Sequence, residues 1–173
     1  MTFASSPASA PAVESLWRIE LLHPAVVHFP LALLVVGGLF WLGGWAAPVR
    51  GRFGFLRPAA TMLLVLGVLG AWLAVLTGFW ADDAVGHAVP NAPLLKDHEN
   101  LALVTAILAT IVVAVDVVRQ MFLRAGIRPR LVLAVRSVTA MLIVVTWLAL
   151  GLAAHHGAAL VYAEGAAVQR ISQ

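Results

Sequence analysis

The chain has 173 residues, 62% of them hydrophobic and 11% charged, with a mean hydropathy of +0.97 and a formal net charge of +3. Soluble domains carry about 45–50% apolar and roughly 25% charged residues, so this balance excludes a soluble domain and indicates an integral membrane protein. The absence of cysteine excludes disulfides, thiolate-ligated zinc, iron–sulfur clusters and covalent haem attachment through a CxxCH motif.

Residues 1–12 are small, polar and punctuated by proline, which predicts a disordered tail. An Ala-Ser-Ala there resembles a cleavage site, but no basic region and apolar core precede it, so no secretory signal is expected. Residues 13–22 carry Glu14, Trp17, Arg18 and Glu20 among apolar residues, the pattern of a short interfacial helix with Trp17 at headgroup level. Four apolar runs follow at about 24–47, 57–80, 100–118 and 131–154, each near the roughly 20 residues that cross a bilayer. Lipid cannot satisfy backbone polar groups, so runs of this length must be helical. The expected fold class is all-α, an integral membrane four-helix bundle over residues 13–168 with a short tail at 169–173.

Arginine sets the expected orientation. Arg50, Arg52 and Arg57 cluster at the first connection, and Arg119, Arg124, Arg128, Arg130 and Arg136 around the third. Positive residues mark the cytoplasmic side, which puts both termini and the second connection outside. Glu14, Glu20, Asp82, Asp83, Asp97, Glu99 and Glu164 then share the outer side. So do all six histidines: His23, His28, His87, His98, His155 and His156. Ionisable groups inside membrane helices usually face the bundle and mark function. His28, His98 and His155, on three helices at similar depth, are therefore the leading candidate ligands. His23, His87 and His156 are the lesser ones, since imidazole is also ordinary at an interface.

The opening motif divides on geometry. His23 and His28 are five residues apart, about 140° on a helix, so they do not share a face. His23 then starts the helix with Pro24 in its first position. Pro30 has no N–H to return to the Val26 carbonyl, leaving an acceptor free beside His28, and such acceptors orient ligating imidazoles. In the second run, Gly67, Gly70, Ala71, Ala74 and Gly78 form a small-residue stripe for close helix packing. Asp116, near the cytoplasmic end, is expected to pair with Arg119 or Arg136 and to be structural. The connection at 81–99 is long for an unstructured loop and is expected to lie over the outer mouth of the bundle. Residues 157–168 are too few to cross again, and Tyr162 among them is expected to anchor at the interface.

Taken together, His23-Pro24, Val27-His28-Phe29-Pro30, Thr77-Gly78, His98, and His155 followed by Gly157 and Leu160-Val161-Tyr162 resemble the bacterial membrane family catalogued as domain of unknown function 2231. The resemblance runs from about Leu21 to Val168. It departs near the end, where Ala158, Ala166 and Ala167 stand at places the family tends to fill with glycine. Members of the family are sometimes joined to Rieske or cytochrome-type domains, which implies redox chemistry by association.

Three functions compete at this point: a b-type haem held by imidazoles of two helices, a copper or zinc site built from His28, His98 and His155, and a cofactor-free structural or assembly subunit. In an up-and-down ring the first and third helices are diagonal, so His28 and His98 are expected to face each other through the core. No hydrolase motif, phosphate loop or metalloprotease HExxH is present, so an electron-transfer or cofactor-binding subunit is favoured over a stand-alone enzyme. The expected partners are the lipid bilayer and a redox protein or membrane complex. Nucleic acid is not expected, because topology already accounts for the arginines. The expected location is the bacterial inner membrane.

Overall fold

A computed structural model of the chain describes residues 21–46, 53–126 and 129–166. They form four helices: α1 (Leu22–Ala46), α2 (Leu56–Val85), α3 (Ala92–Arg124) and α4 (Pro129–Tyr162), with a short 3₁₀ turn at Gly86–Ala88. All four are long and apolar enough to cross a membrane. The expected interfacial helix, the tails, and Arg50, Arg52 and Arg128 lie outside the described residues, apart from Leu21 and Leu22, at the start of α1.

The helices outrun the apolar segments that reveal them. At 1.5 Å per residue, the 33 residues of α3 reach about 50 Å against a hydrocarbon core of about 30 Å. Hydropathy marks only the part in lipid, so the expected long connection at 81–99 is corrected. α2 continues to Val85, and α3 begins at Ala92, capped by the Asn91 side chain, which accepts from the Leu94 N–H at 3.1 Å. Pro93 follows in the first turn, where its missing N–H is harmless. His98 is thus two turns inside α3 rather than at its entry. Residues 157–162 likewise prolong α4. Gly165, at φ 70°, then turns the chain so that the Ala166 N–H reaches the Leu160 carbonyl at 2.9 Å. Gly126, at φ 64°, ends α3 in the same left-handed conformation.

Many buried positions hold small side chains, while many large apolar ones face outward. Ala60 and Ala106 are fully buried, whereas Leu69 and Leu148 are 62% and 64% exposed on the outer surface. An apolar surround is needed to cover such faces. The buried threonines are satisfied within their own helices: Thr105, Thr139 and Thr146 donate to Leu101, Val135 and Leu142. Small residues let α1 settle on α2. Leu34 occupies the space a side chain at Gly67 would take, and Pro30 lies on Gly70.

The bundle is two hairpins, α1–α2 and α3–α4, in the same buried register. On α1 the buried positions Pro30, Leu34, Gly37 and Trp41 recur with identical spacing on α3 as Thr105, Ala109, Val112 and Asp116. On α2, Ala60, Leu64, Gly67 and Ala74 recur on α4 as Thr139, Ile143, Thr146 and Ala153. Most of the letters differ, and for that reason the repeat is hard to see in the sequence. Trp41 donates its indole N–H to its own counterpart, Asp116, at 2.7 Å. The two equivalent positions thus meet where one hairpin packs against the other.

Candidate cofactor site

A second pair of equivalent positions that meet is a pair of imidazoles. His23 lies seven residues before Pro30 and His98 seven before Thr105, so they are equivalent positions in the two hairpins. Their ring centroids are 5.9 Å apart and nearly perpendicular. Each ring is held by the other helix of its own hairpin. His23 Nδ1 donates to the Ala74 carbonyl at 3.0 Å, and His98 Nδ1 donates to the Ala153 carbonyl at 2.9 Å. Ala74 and Ala153 are themselves equivalent.

Below each ring, four residues past its acceptor, lies a glycine. A Cβ at Gly78 would stand 3.2 Å from His23 Cε1, and one at Gly157 would stand 3.0 Å from His98 Cε1. Imidazole packs where a side chain would otherwise be. One difference separates the halves. The Thr77 hydroxyl stands 3.5 Å from His23 Nδ1, while the equivalent position on α4 is His156, whose buried Nδ1 has no hydrogen-bond partner.

These hydrogen bonds select a tautomer. A carbonyl oxygen only accepts, so the proton sits on Nδ1 and the neutral ring keeps its lone pair on Nε2. Both rings line one cavity of about 400 Å³, walled mainly by apolar side chains of all four helices. Cofactor and small-molecule sites typically enclose roughly 300–1,000 Å³. Asp82 and Glu99 also line it, with Glu99 paired to Lys96 at 3.0 Å.

The other histidines are placed differently from the expectation. His28 is exposed at the edge of this cavity, and its Nδ1 donates to the Pro24 carbonyl at 2.7 Å, not to the carbonyl freed by Pro30. His98 therefore faces His23 in place of His28. His155 is exposed on α4 and outside the cavity wall, 6.1 Å from the His156 ring, and His87 is exposed on the 3₁₀ turn. Among the described residues, no group of three His, Asp or Glu is arranged to hold a metal ion, so His28, His98 and His155 are not brought together. In the sequence His23 reads as a helix start. α1 begins at Leu22, and the partner of His23 is on α3, which helical angles within α1 do not reveal. The available signal was the two glycines that receive the rings.

A family model described as "Predicted membrane protein (DUF2231)" matches residues 20–170. The chain belongs to this family. Of the residues through which it resembles DUF2231 in sequence, His23, Thr77, Gly78, His98 and Gly157 are the ones that meet around the paired imidazoles. No curated protein and no solved structure matches the chain.

Proposed function

We propose that this DUF2231 protein is an electron-transfer subunit that binds a b-type haem between His23 and His98. The observation that carries the reading is the pair of equivalent imidazoles, 5.9 Å apart, each with Nδ1 tied to a carbonyl and Nε2 left basic. Each ring would offer its Nε2 lone pair to the iron of a haem held by the pair. The carbonyl acceptors on Ala74 and Ala153 supply the outer hydrogen bond that orients a ligating imidazole and raises its basicity.

Ligand count separates the metals. Two imidazoles fall short of the three or four protein ligands that a zinc site uses, and no third ligand joins them among the described residues. Haem carries most of its iron's ligands itself and would ask the protein only for the imidazoles of His23 and His98, so the pair would suffice. Haem bound there supplies one-electron transfer, and the protein's part is to fix the two rings and keep the cavity apolar. The position of the arginines supports placing this site at the outer face of the bacterial inner membrane, with both termini outside.

The test is a reduced-minus-oxidised absorption spectrum of the purified protein, with metal analysis, after expression with ample haem. A bis-imidazole haem spectrum with one iron per chain is expected. Protein free of haem and of metal under those conditions would remove the reading, leaving the cofactor-free structural subunit, and stoichiometric copper or zinc would replace haem by the bare ion.

A further inference from the structure

The opposite end of the bundle gathers three guanidiniums. Arg57 of α2, Arg119 of α3 and Arg136 of α4 line a cavity of about 20 Å³ together with Trp41, Gly44 and Trp45 of α1. Their placement is specific. Arg57 donates Nε to the Gly44 carbonyl at 2.9 Å, and Gly44 leaves room for the Arg57 stem, since a Cβ there would stand 3.0 Å from Arg57 Cγ. Arg136 donates to the Trp45 carbonyl at 3.2 Å and lies 4.9 Å from the Trp45 ring centre. Arg119 lies 5.8 Å from the Trp41 ring centre. These contacts orient the guanidiniums, and those of Arg57 and Arg136 leave the charge unneutralised.

Asp116 is the single carboxylate here, and it is occupied. Its Oδ1 accepts from Trp41 at 2.7 Å and from Arg119 at 2.8 Å, and its Oδ2 accepts from Gln120 at 2.8 Å and Thr61 at 3.4 Å. Among the described residues, no carboxylate pairs with Arg57 or Arg136. None can come from the adjoining connections either. From Leu21 to Ala81 the sequence holds no acidic residue, and from Leu101 to Ala163 it holds only Asp116. Those stretches add Arg50, Arg52, Arg124, Arg128 and Arg130 to the excess. Neither the described helices at this end nor the adjoining connections therefore supply a counter-charge to Arg57 or Arg136.

We propose that Arg57, Arg119 and Arg136 form a binding site for a phosphate group. Guanidinium forks match phosphate oxygens in charge and geometry, and Arg57 and Arg119 use Nε for their internal bonds, which keeps both terminal nitrogens available. A cavity of this size admits one oxygen-sized group, so one phosphate oxygen enters while phosphorus stays at the mouth among the three cations. Basic pockets between membrane helices take lipid headgroups in this way. The phosphate belongs either to an anionic phospholipid of the adjacent leaflet or to a free anion.

The test uses the full chain in an uncharged detergent, stripped of lipid. One arm adds phosphatidylglycerol in mixed micelles, a second adds inorganic phosphate, and sodium chloride at matched ionic strength serves as the blank. The melting midpoint, read from tryptophan fluorescence, is expected to rise by about 2 °C or more above the blank. A rise with the lipid alone assigns a headgroup, and a rise in both arms assigns any accessible phosphate. Arg57→Gln and Arg136→Gln should lose the rise, while Arg124→Gln, at an exposed position outside the cavity, should keep it. If a glutamine variant does not fold, Arg136→Lys is measured instead, and its lost fork should at least halve the rise. No rise in either arm, or an undiminished rise in the Arg57 and Arg136 variants, overturns the proposal.

Discussion

Gly157 lies beneath the His98 ring so closely that a Cβ there would stand 3.0 Å from Cε1 and 3.3 Å from Nδ1. Gly78 stands in the same relation to His23. Alanine at Gly157 has to push the ring away from the Ala153 carbonyl by a few tenths of an ångström. Overpacking of this kind costs about 1–3 kcal/mol and loosens the rotamer of the displaced group. Gly157→Ala should therefore lower haem occupancy while the helical content, read by circular dichroism, stays unchanged. Equal haem occupancy in Gly157→Ala and the parent protein would show that the ring needs no such seat.

The equivalence of the two hairpins gives a sharper test of the ligands. His23→Ala and His98→Ala should each abolish the bis-imidazole spectrum, because removing either ring would leave a single imidazole to hold the group. His155→Ala and His87→Ala, at exposed positions outside the cavity wall, should retain it. His28→Ala is expected to alter the spectrum slightly, since His28 stands at the cavity edge. Loss in His28→Ala together with retention in His23→Ala would falsify the assignment.

At the arginine end, Asp116 is 2% exposed and bonded to both Trp41 and Arg119. Removing the carboxylate leaves a partly buried guanidinium unpaired, which costs about 3–5 kcal/mol. Trp41→Phe removes one hydrogen bond to a charged group, worth about 1.5–3 kcal/mol. Because both changes act on one network, the double variant Trp41→Phe with Asp116→Ala should fall short of the sum. Unfolding by titration with a denaturing detergent measures all three, and strict additivity would mean that the two residues act independently.

Leu34 and Gly67 form a matched pair at the α1–α2 contact. A Cβ at Gly67 would stand 2.7 Å from Leu34 Cδ2 and 3.3 Å from the Leu34 backbone nitrogen. Gly67→Ala should destabilise by about 1–3 kcal/mol. Leu34→Ala should cost about 2 kcal/mol, the low end for such truncations, because lipid surrounds the separated helices and little apolar transfer is lost. The two changes compensate in space, so the double variant should be more stable than Gly67→Ala alone. The same denaturing titration checks this, and a double variant worse than both singles would show that the backbone contact dominates.

Composition and apolar run length by themselves determined that the chain is a four-helix membrane protein, because only a helix closes its backbone hydrogen bonds in lipid. The family resemblance was likewise legible in short motifs around His23, Gly78 and Gly157. Helix ends were not legible, since the polar turns of α2, α3 and α4 beyond the lipid core do not register as apolar. The identity of the imidazole pair was the tertiary structure's decision. Helical angles relate His23 to His28 within α1, but say nothing about which residue of α3 lies across the bundle axis. That depends on how Leu34 seats on Gly67 and how the two hairpins turn against each other, which are contacts between residues far apart in the chain. The repeat was hidden for a related reason. It is carried by the spacing of buried positions, and packing accepts leucine, alanine, glycine or threonine there as long as the volumes interlock.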